Sequence, residues 1–370
     1  MRILVTGGCG FIGSHLVDGL VQAQHEVRVL DSLEYQVHED RLPSYLNPNA
    51  EYIFGDIRDE DTLRRAIADV DVIFHQAAAV GVGQSMYEIK KYTEVNVMGT
   101  AKLLELLVNG SHNVSKLIVA SSMSIYGEGP YLCSACGPVN PRLRTQEQLK
   151  SGDWEMKCPR CGQEVRPLPT SEEKPLFPTS VYAITKRDQE EMCLAIGRAY
   201  GLPTVALRYF NVYGPRQSLN NPYTGVAAIF STRVKNDNPP MIFEDGLQSR
   251  DFINIRDVVR ANLLALEKKE ADYEMFNVGT GKPTTILDIA RLLIRLYGKE
   301  LEPKIVNKYR TGDIRHCYAD ISKIRKLGFE PEIDLEQGMR ELVAWGNTVA
   351  ALDRTEQAQR ELRQRGLVEV

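Results

Sequence analysis

The segment Thr6-Gly7-Gly8-Cys9-Gly10-Phe11-Ile12-Gly13 constrains this chain more than any other. It sits where an apolar strand pattern (residues 3–6) gives way to a helical one (11–23). Glycines at 7, 10 and 13 permit a tight turn and let the backbone approach a pyrophosphate held at a helix N-terminus. Glycine turns between strand and helix are common, so the neighbours decide the meaning. Asp31 ends the next apolar run, about 20 residues on, where a carboxylate would bind a ribose diol. No arginine directly follows it, which favours NAD over NADP. Asp56-Ile57 ends the third run, a place from which an adenine could be bracketed. The plainer reading of Asp31 and Asp56 is turn-forming aspartate.

The rest of the first half repeats this alternation. Strand patterns at 3–6, 27–31, 52–55, 70–75, 116–121 and 204–210 alternate with helix patterns at 11–23, 61–68, 87–109 and 181–200. Apolar strands without alternation predict a parallel sheet covered on both faces, a doubly wound Rossmann α/β domain. This domain takes residues 1–130 and 170–214. Residues 131–169, rich in Pro, Gly and Cys and without helical or strand period, read as an insertion. Residues 215–346 read as a smaller mixed lobe, some of whose segments return to the first domain. It carries loops around 220–223 and 236–240 and helices near 258–266 and 286–297. The end, 347–370, carries a charged amphipathic pattern that reads as a solvated packing helix.

Composition narrows the class. A net charge of −4 over 370 residues gives no electrostatic footprint for nucleic acid. No stretch approaches the roughly 20 apolar residues of a membrane helix. Residues 1–6 run straight into a strand with no room for a signal peptide, so a cytoplasmic protein is expected. In that compartment Cys9, Cys193 and Cys317 are most simply small buried hydrophobes.

Tyr182 and Lys186 stand four apart, hence on one helix face. A phenol near pKa 10 is a poor base at neutral pH, and a nearby ammonium favours its phenolate. Such a pair is common on helices. It gains force from Ser121-Ser122-Met123-Ser124-Ile125-Tyr126-Gly127, which follows the fifth strand and places hydroxyls at the carboxyl edge of the sheet, where ligands bind.

These segments resemble the nucleotide-sugar epimerase/dehydratase branch of the extended short-chain dehydrogenase/reductases. The likeness is carried by the glycine turn, His75-Gln76-Ala77-Ala78, Ser122, the Tyr182/Lys186 pair, the run from Arg208 to Pro215, Arg250-Asp251-Phe252-Ile253 and Asn277-Val278-Gly279. It extends to about Trp345 and excludes the insertion. By resemblance, Tyr182 is the acid/base, Lys186 holds the nicotinamide ribose and lowers the tyrosine pKa, and Ser122 bonds the reacting hydroxyl. Gly7, Gly10, Phe11, Ile12, Gly13, Asp31, Asp56, Ile57, Ala77, Ala78, Asn96, Ser121 and Phe210 would surround NAD. Ser124, Asn211, Arg250, Arg310 and Asp313 would meet the nucleotide sugar, whose diphosphate suits guanidinium forks. Dehydratases and decarboxylases of the branch carry a carboxylate where this chain has Met123-Ser124. That absence points to a 4-epimerase, which passes a hydride to NAD and takes it back on the other sugar face. The resemblance reaches a subgroup acting on dTDP-L-rhamnose, with UDP-glucose/UDP-galactose as the alternative. Another enzyme of the branch, with net redox, is a further alternative. The helices at 87–109 and 181–200 match the pair that forms a homodimer interface in this family.

Cys133-x-x-Cys136 and Cys158-x-x-Cys161 match the spacing of a four-thiolate structural zinc ribbon, with Gly or Pro beside each knuckle. Two disulfides or four idle thiols are the plainer readings. The insertion would either roof the sugar site or form a subunit contact.

Overall fold

Runs of apolar residues without alternation can be buried only if both faces of their sheet are covered, and the strands obey this. In the computed structural model, which describes residues 1–368, seven parallel strands form the central sheet. They are β1 (Arg2–Thr6), β2 (Glu26–Asp31), β3 (Glu51–Phe54), β4 (Val72–His75), β5 (Lys116–Ser122), β6 (Thr204–Tyr209) and β7 (Met275–Val278), in the spatial order β7-β6-β5-β4-β1-β2-β3. Ile3 and Val5 of β1 enter a core shared with Leu16, Val17 and Leu20 of helix α1 (Phe11–Gln22). Leu4, pointing the other way, enters a second core with Leu103 and Leu107 of α2 (Gly99–Asn109) and Leu194 of α3 (Val181–Tyr200). Strand order reverses between β1 and β4, and ligand crevices open at the carboxyl ends of such a switch point. The fold is Rossmann-like.

Several elements differ from the sequence reading. The strand β7 carries no apolar run because Asn277 interrupts it. That asparagine is buried and satisfied, its amide donating to the Thr170 and Asp320 carbonyls at 2.8 and 3.1 Å. The helical stretch before α2 contains a wide π turn at Thr93–Met98. The insertion does form strands: residues 131–133 pair antiparallel with both 137–139 and 165–167. Three-residue strands are too short to display a period. The C-terminal pattern at 347–370 is not one helix: residues 347–348 end the helix Leu335–Thr348, 349–354 are non-helical and Thr355–Gln364 is a separate helix, with 369–370 outside the described residues.

The smaller lobe packs helices Val226–Lys235, Ile286–Leu296 and the Leu335–Thr348 helix around a core that includes Phe230, Leu293 and Leu342. Among the described residues no helix is long and apolar enough to cross a membrane.

Candidate active site

A cleft of about 690 Å³ runs between the lobes along the carboxyl ends of the strands. Its first half is built by the glycine turn. Gly7 has φ +72, and a Cβ there would lie 2.8 Å from the Ala77 amide nitrogen. A Cβ on Gly13 would lie 2.1 Å from the Gly7 carbonyl, so strand and helix approach as only glycines allow. Gly7, Gly10, Phe11, Ile12 and Gly13 all line the cleft, as do Ile57, Ala77, Ala78 and Phe210. Asp31 also lines it while accepting from the Cys9 and Leu33 amides, both at 2.9 Å, so it is at once a turn aspartate and a cleft carboxylate. Asp56 lines it too, paired with Arg58 at 2.6 Å, and that side-chain hydrogen bond holds its carboxyl below the usual range. Asn96 does not line the cleft. Fully buried, it accepts from the Ala79 amide at 2.7 Å and donates to Thr185 Oγ1 at 3.0 Å, clamping the Ala77–Ala79 segment to α3. Ser121 borders the cleft, but its hydroxyl is engaged with the buried Glu190 at 2.5 Å.

The second feature is the start of α3. Ser180 caps the helix through the Ala183 amide, and Ser85 Oγ accepts from the Tyr182 amide at 2.9 Å. The Tyr182 ring meets the edge of buried Tyr92, with centroids 6.4 Å apart. Tyr182 and Ser122 share the cleft wall, with the Ser122 hydroxyl close enough to act on the phenol. Ser124 Oγ donates to Ser122 Oγ at 2.9 Å. Burial pushes the Tyr182 phenol up, and the Ser122 hydroxyl draws it part of the way back. The expectation of a phenol lowered by Lys186 is therefore not met by the chain alone. Desolvation brings Lys186 itself down to about 8. Its ammonium donates to the Ala120 carbonyl at 2.6 Å and to Gln189 Oε1 at 3.0 Å, leaving one of three donors for the cleft.

At the far end Asn211, Arg250, Arg310 and Asp313 come together on the same wall. Arg250 donates to the carbonyls of Ser249, Ile314 and Arg315, and Arg310 stacks over Phe243 at 4.7 Å while pairing with Asp313 at 2.8 Å. Among the described residues, Asn211 Oδ1 is buried without a hydrogen-bond partner, and so are Gln217 Oε1 and Gln248 Oε1, all three on residues lining the cleft. Buried polar atoms left unpaired mark where a polar ligand belongs. The two glutamines stand in segments without a pattern, so only the fold reveals them.

Every other carboxylate on the cleft wall is already engaged as well. Glu34 pairs with Lys91 at 2.8 Å, and Glu244 is held by both Arg144 and Arg315. Beside Ser122 the lining residues are Met123 and Ser124, neither a carboxylate, and Tyr182 and Lys186 line the same cleft.

The four insertion cysteines converge. Their Sγ atoms lie within 4.8 Å of one another, Cys133 and Cys161 3.6 Å apart, and none is in a disulfide. A tetrahedral zinc with Zn–S of about 2.3 Å needs S···S near 3.8 Å, so the donor set fits that ion. No residue of 131–169 lines the cleft. The insertion props it from behind: Arg144 reaches Glu244 at 2.7 Å and the Asp313 carbonyl at 3.2 Å, and Glu155 pairs with Arg315.

Comparison with known proteins fits this geometry. The sequence profile of the NAD-dependent epimerase/dehydratase family matches residues 3–144 and 161–279. The chain belongs to that family. It is 36% identical over 348 residues to the dTDP-L-rhamnose 4-epimerase of Burkholderia thailandensis, covering 93% of this chain and 94% of that protein. Among solved structures, the UDP-glucose 4-epimerase of Thermotoga maritima, determined with UDP-glucose, superposes with a TM-score of 0.77 at 34% identity, covering 94% of this chain and 99% of the other. The UDP-glucuronic acid 4-epimerase of Bacillus cereus, in complex with UDP-glucuronic acid and NAD, gives 0.77 at 28% identity, over 95% and 100%. The family member described here is thus an enzyme of nucleotide-sugar type with a ribbon inserted between its Ser122 and Tyr182 segments.

Proposed function

We propose that this family member is an NAD-dependent nucleotide-sugar 4-epimerase. One observation carries the reading: Tyr182 and Ser122 face the cleft together, with no unpaired carboxylate beside them for loss of water or carbon dioxide. Residues 1–130 with 170–214 would hold NAD, and residues 215–346 the nucleotide sugar. Tyr182 Oη takes the proton of the sugar 4-hydroxyl, Ser122 bonds the same hydroxyl, and the free donor of Lys186 meets the nicotinamide ribose. Bound NAD would supply reversible hydride acceptance at the carbon bearing that hydroxyl, so net redox would be zero. Arg250, Arg310 and the side-chain NH2 of Asn211 donate to the diphosphate and leave the sugar free to turn over. Burial pushes the phenol up, and the positive nicotinamide ring of bound NAD would favour its phenolate.

The leading substrate is dTDP-L-rhamnose, giving dTDP-6-deoxy-L-talose, supported by the Burkholderia relative. UDP-glucose/UDP-galactose is the second reading, supported by the Thermotoga structure. A screen of dTDP-, UDP- and GDP-sugars, reading the 4-epimer by NMR, separates them, and net NADH production would select a reductase or dehydrogenase instead. Tyr182→Phe is expected to abolish turnover while NAD still co-purifies; substantial activity in that variant would sink the assignment of the base. The cysteine cluster is read as structural zinc, closed to chemistry by four thiolates. Metal analysis should give one zinc per chain, and its absence in freshly purified, unchelated protein removes that reading. A homodimer through α2 and α3 is supported by the exposed Met98 and Ile184 beside these helices. Sedimentation shows whether it forms.

A further inference from the structure

The C-terminal helix is polar overall, yet one side of it is not solvated. Ala358, Gln359 and Leu362 are buried, whereas Glu356, Arg360, Arg363 and Gln364 are exposed. The buried face, continued by Leu367, forms part of the cleft wall.

Pins to both lobes hold the segment there. Asp353 receives Arg233 at 3.1 Å, and Asn220 Oδ1 accepts from the Leu352 amide at 2.8 Å, both from the smaller lobe. Arg354 pairs with Glu39 of the Rossmann lobe at 3.0 Å. Glu361 accepts from Tyr223 at 2.8 Å, Tyr223 is itself joined to Tyr87 at 2.6 Å, and Arg365 stacks over the Tyr87 ring at 4.1 Å. Beyond the helix, the Leu367 carbonyl accepts from the Thr311 amide at 3.2 Å and Val368 bridges Arg310. The segment therefore crosses the cleft and fixes the backbone of the arginine that faces it.

We propose that residues 355–367 form one wall of the nucleotide subsite, with Leu362 and Gln359 contacting the nucleoside diphosphate. This rests on the nucleotide-sugar reading above. Three contacts bear on which end of the ligand the segment faces: Gln359 reaches Met241, Leu367 reaches Thr311 and Val368 bridges Arg310, beside the cleft's guanidinium groups. Leu362 lies over Gly83, and among the described residues no hydrogen bond or ion pair of the segment reaches Ser122 or Tyr182. A flat base with polar edges suits a leucine wall carrying one amide. The Gln359 amide has only the Met241 sulfur, 3.7 Å away and a weak acceptor, as a partner among the described residues.

The test is calorimetric titration of the NAD-loaded protein with dTDP and with UDP. Leu362→Ala should raise Kd roughly tenfold, as expected for losing a buried leucine contact. Gln359→Ala should raise it about threefold, with NAD content unchanged in both. In the epimerase assay KM should rise while kcat stays within about twofold, because the wall does not touch the reacting carbon. A chain ending at Thr348 should bind at least as weakly as Leu362→Ala; if it does not fold, the two point variants carry the test. Unchanged Kd in both point variants, or tighter binding by the truncated chain, overturns the proposal. A wild-type protein that binds neither nucleotide sinks the nucleotide-sugar reading itself, whereas binding that the variants leave untouched sinks only the wall.

Discussion

Replacing Arg144 by methionine tests how the cysteine-bearing insertion is joined to the smaller lobe. The guanidinium donates four hydrogen bonds: to the Trp154 carbonyl at 2.8 Å, to the two Glu244 oxygens at 2.9 and 2.7 Å, and to the Asp313 carbonyl at 3.2 Å. Both partners of the ion pair are almost fully buried, at 1% and 3% side-chain exposure. Removing one member of such a pair costs about 3–5 kcal/mol, because the other is left charged without solvent. Glu244 keeps Arg315 at 2.9 Å, which places the cost at the lower end, about 3 kcal/mol. That is roughly a hundredfold in the folding equilibrium and a fall in melting temperature of about 4 °C. Urea denaturation followed by circular dichroism measures the first, and calorimetry the second. In the double variant Arg144→Met with Glu244→Gln, the stranded charge is gone and more than half of the loss should return. A single variant within about 0.5 kcal/mol of wild type, or a double variant that merely adds the two losses, would refute the account.

Two further predictions concern the cofactor end. Gly13→Ala puts a methyl 2.1 Å from the Gly7 carbonyl and 2.7 Å from Gly8 Cα, both backbone that cannot yield without opening the turn. The variant should purify without NAD, and a stoichiometric NAD content measured by absorbance would contradict that. The second concerns pH. Burial lowers Lys186 and Lys174 to about 8 from an ordinary 10.5. Across that window the unfolded chain holds these two protons after the folded one has released them, so each lysine contributes a rise in stability with pH between about 8 and 10.5. Set against it are the buried Cys193 and Cys317 thiols, whose raised values contribute a fall above about 9. Lys186→Met should remove its share of the rise and leave that of Lys174. Wild-type and Lys186→Met stability curves that run parallel over this range would show that Lys186 is not shifted.

Much of the fold was legible because its signals are local. The unalternating strands and the Gly7–Gly13 turn each describe a short stretch of backbone, and a short stretch fixes a period or a tight turn. The four cysteines were legible for the same reason, since thiolates two residues apart leave few other readings. Roles that depend on where a side chain finds its partner were not legible. Asn96 stands where a cleft residue was expected, but its amide turns to Ala79 and Thr185. The phenol of Tyr182 was expected to be lowered by the lysine one turn along, whereas burial dominates and raises it. Gln217, Gln248 and the buried face of the C-terminal helix belong to the cleft only because chain segments far apart in sequence close around it. Hydrophobic period and glycine spacing thus determine the sheet and its cofactor turn, while desolvation and long-range pairing, which have no period, decide which polar groups remain free to act.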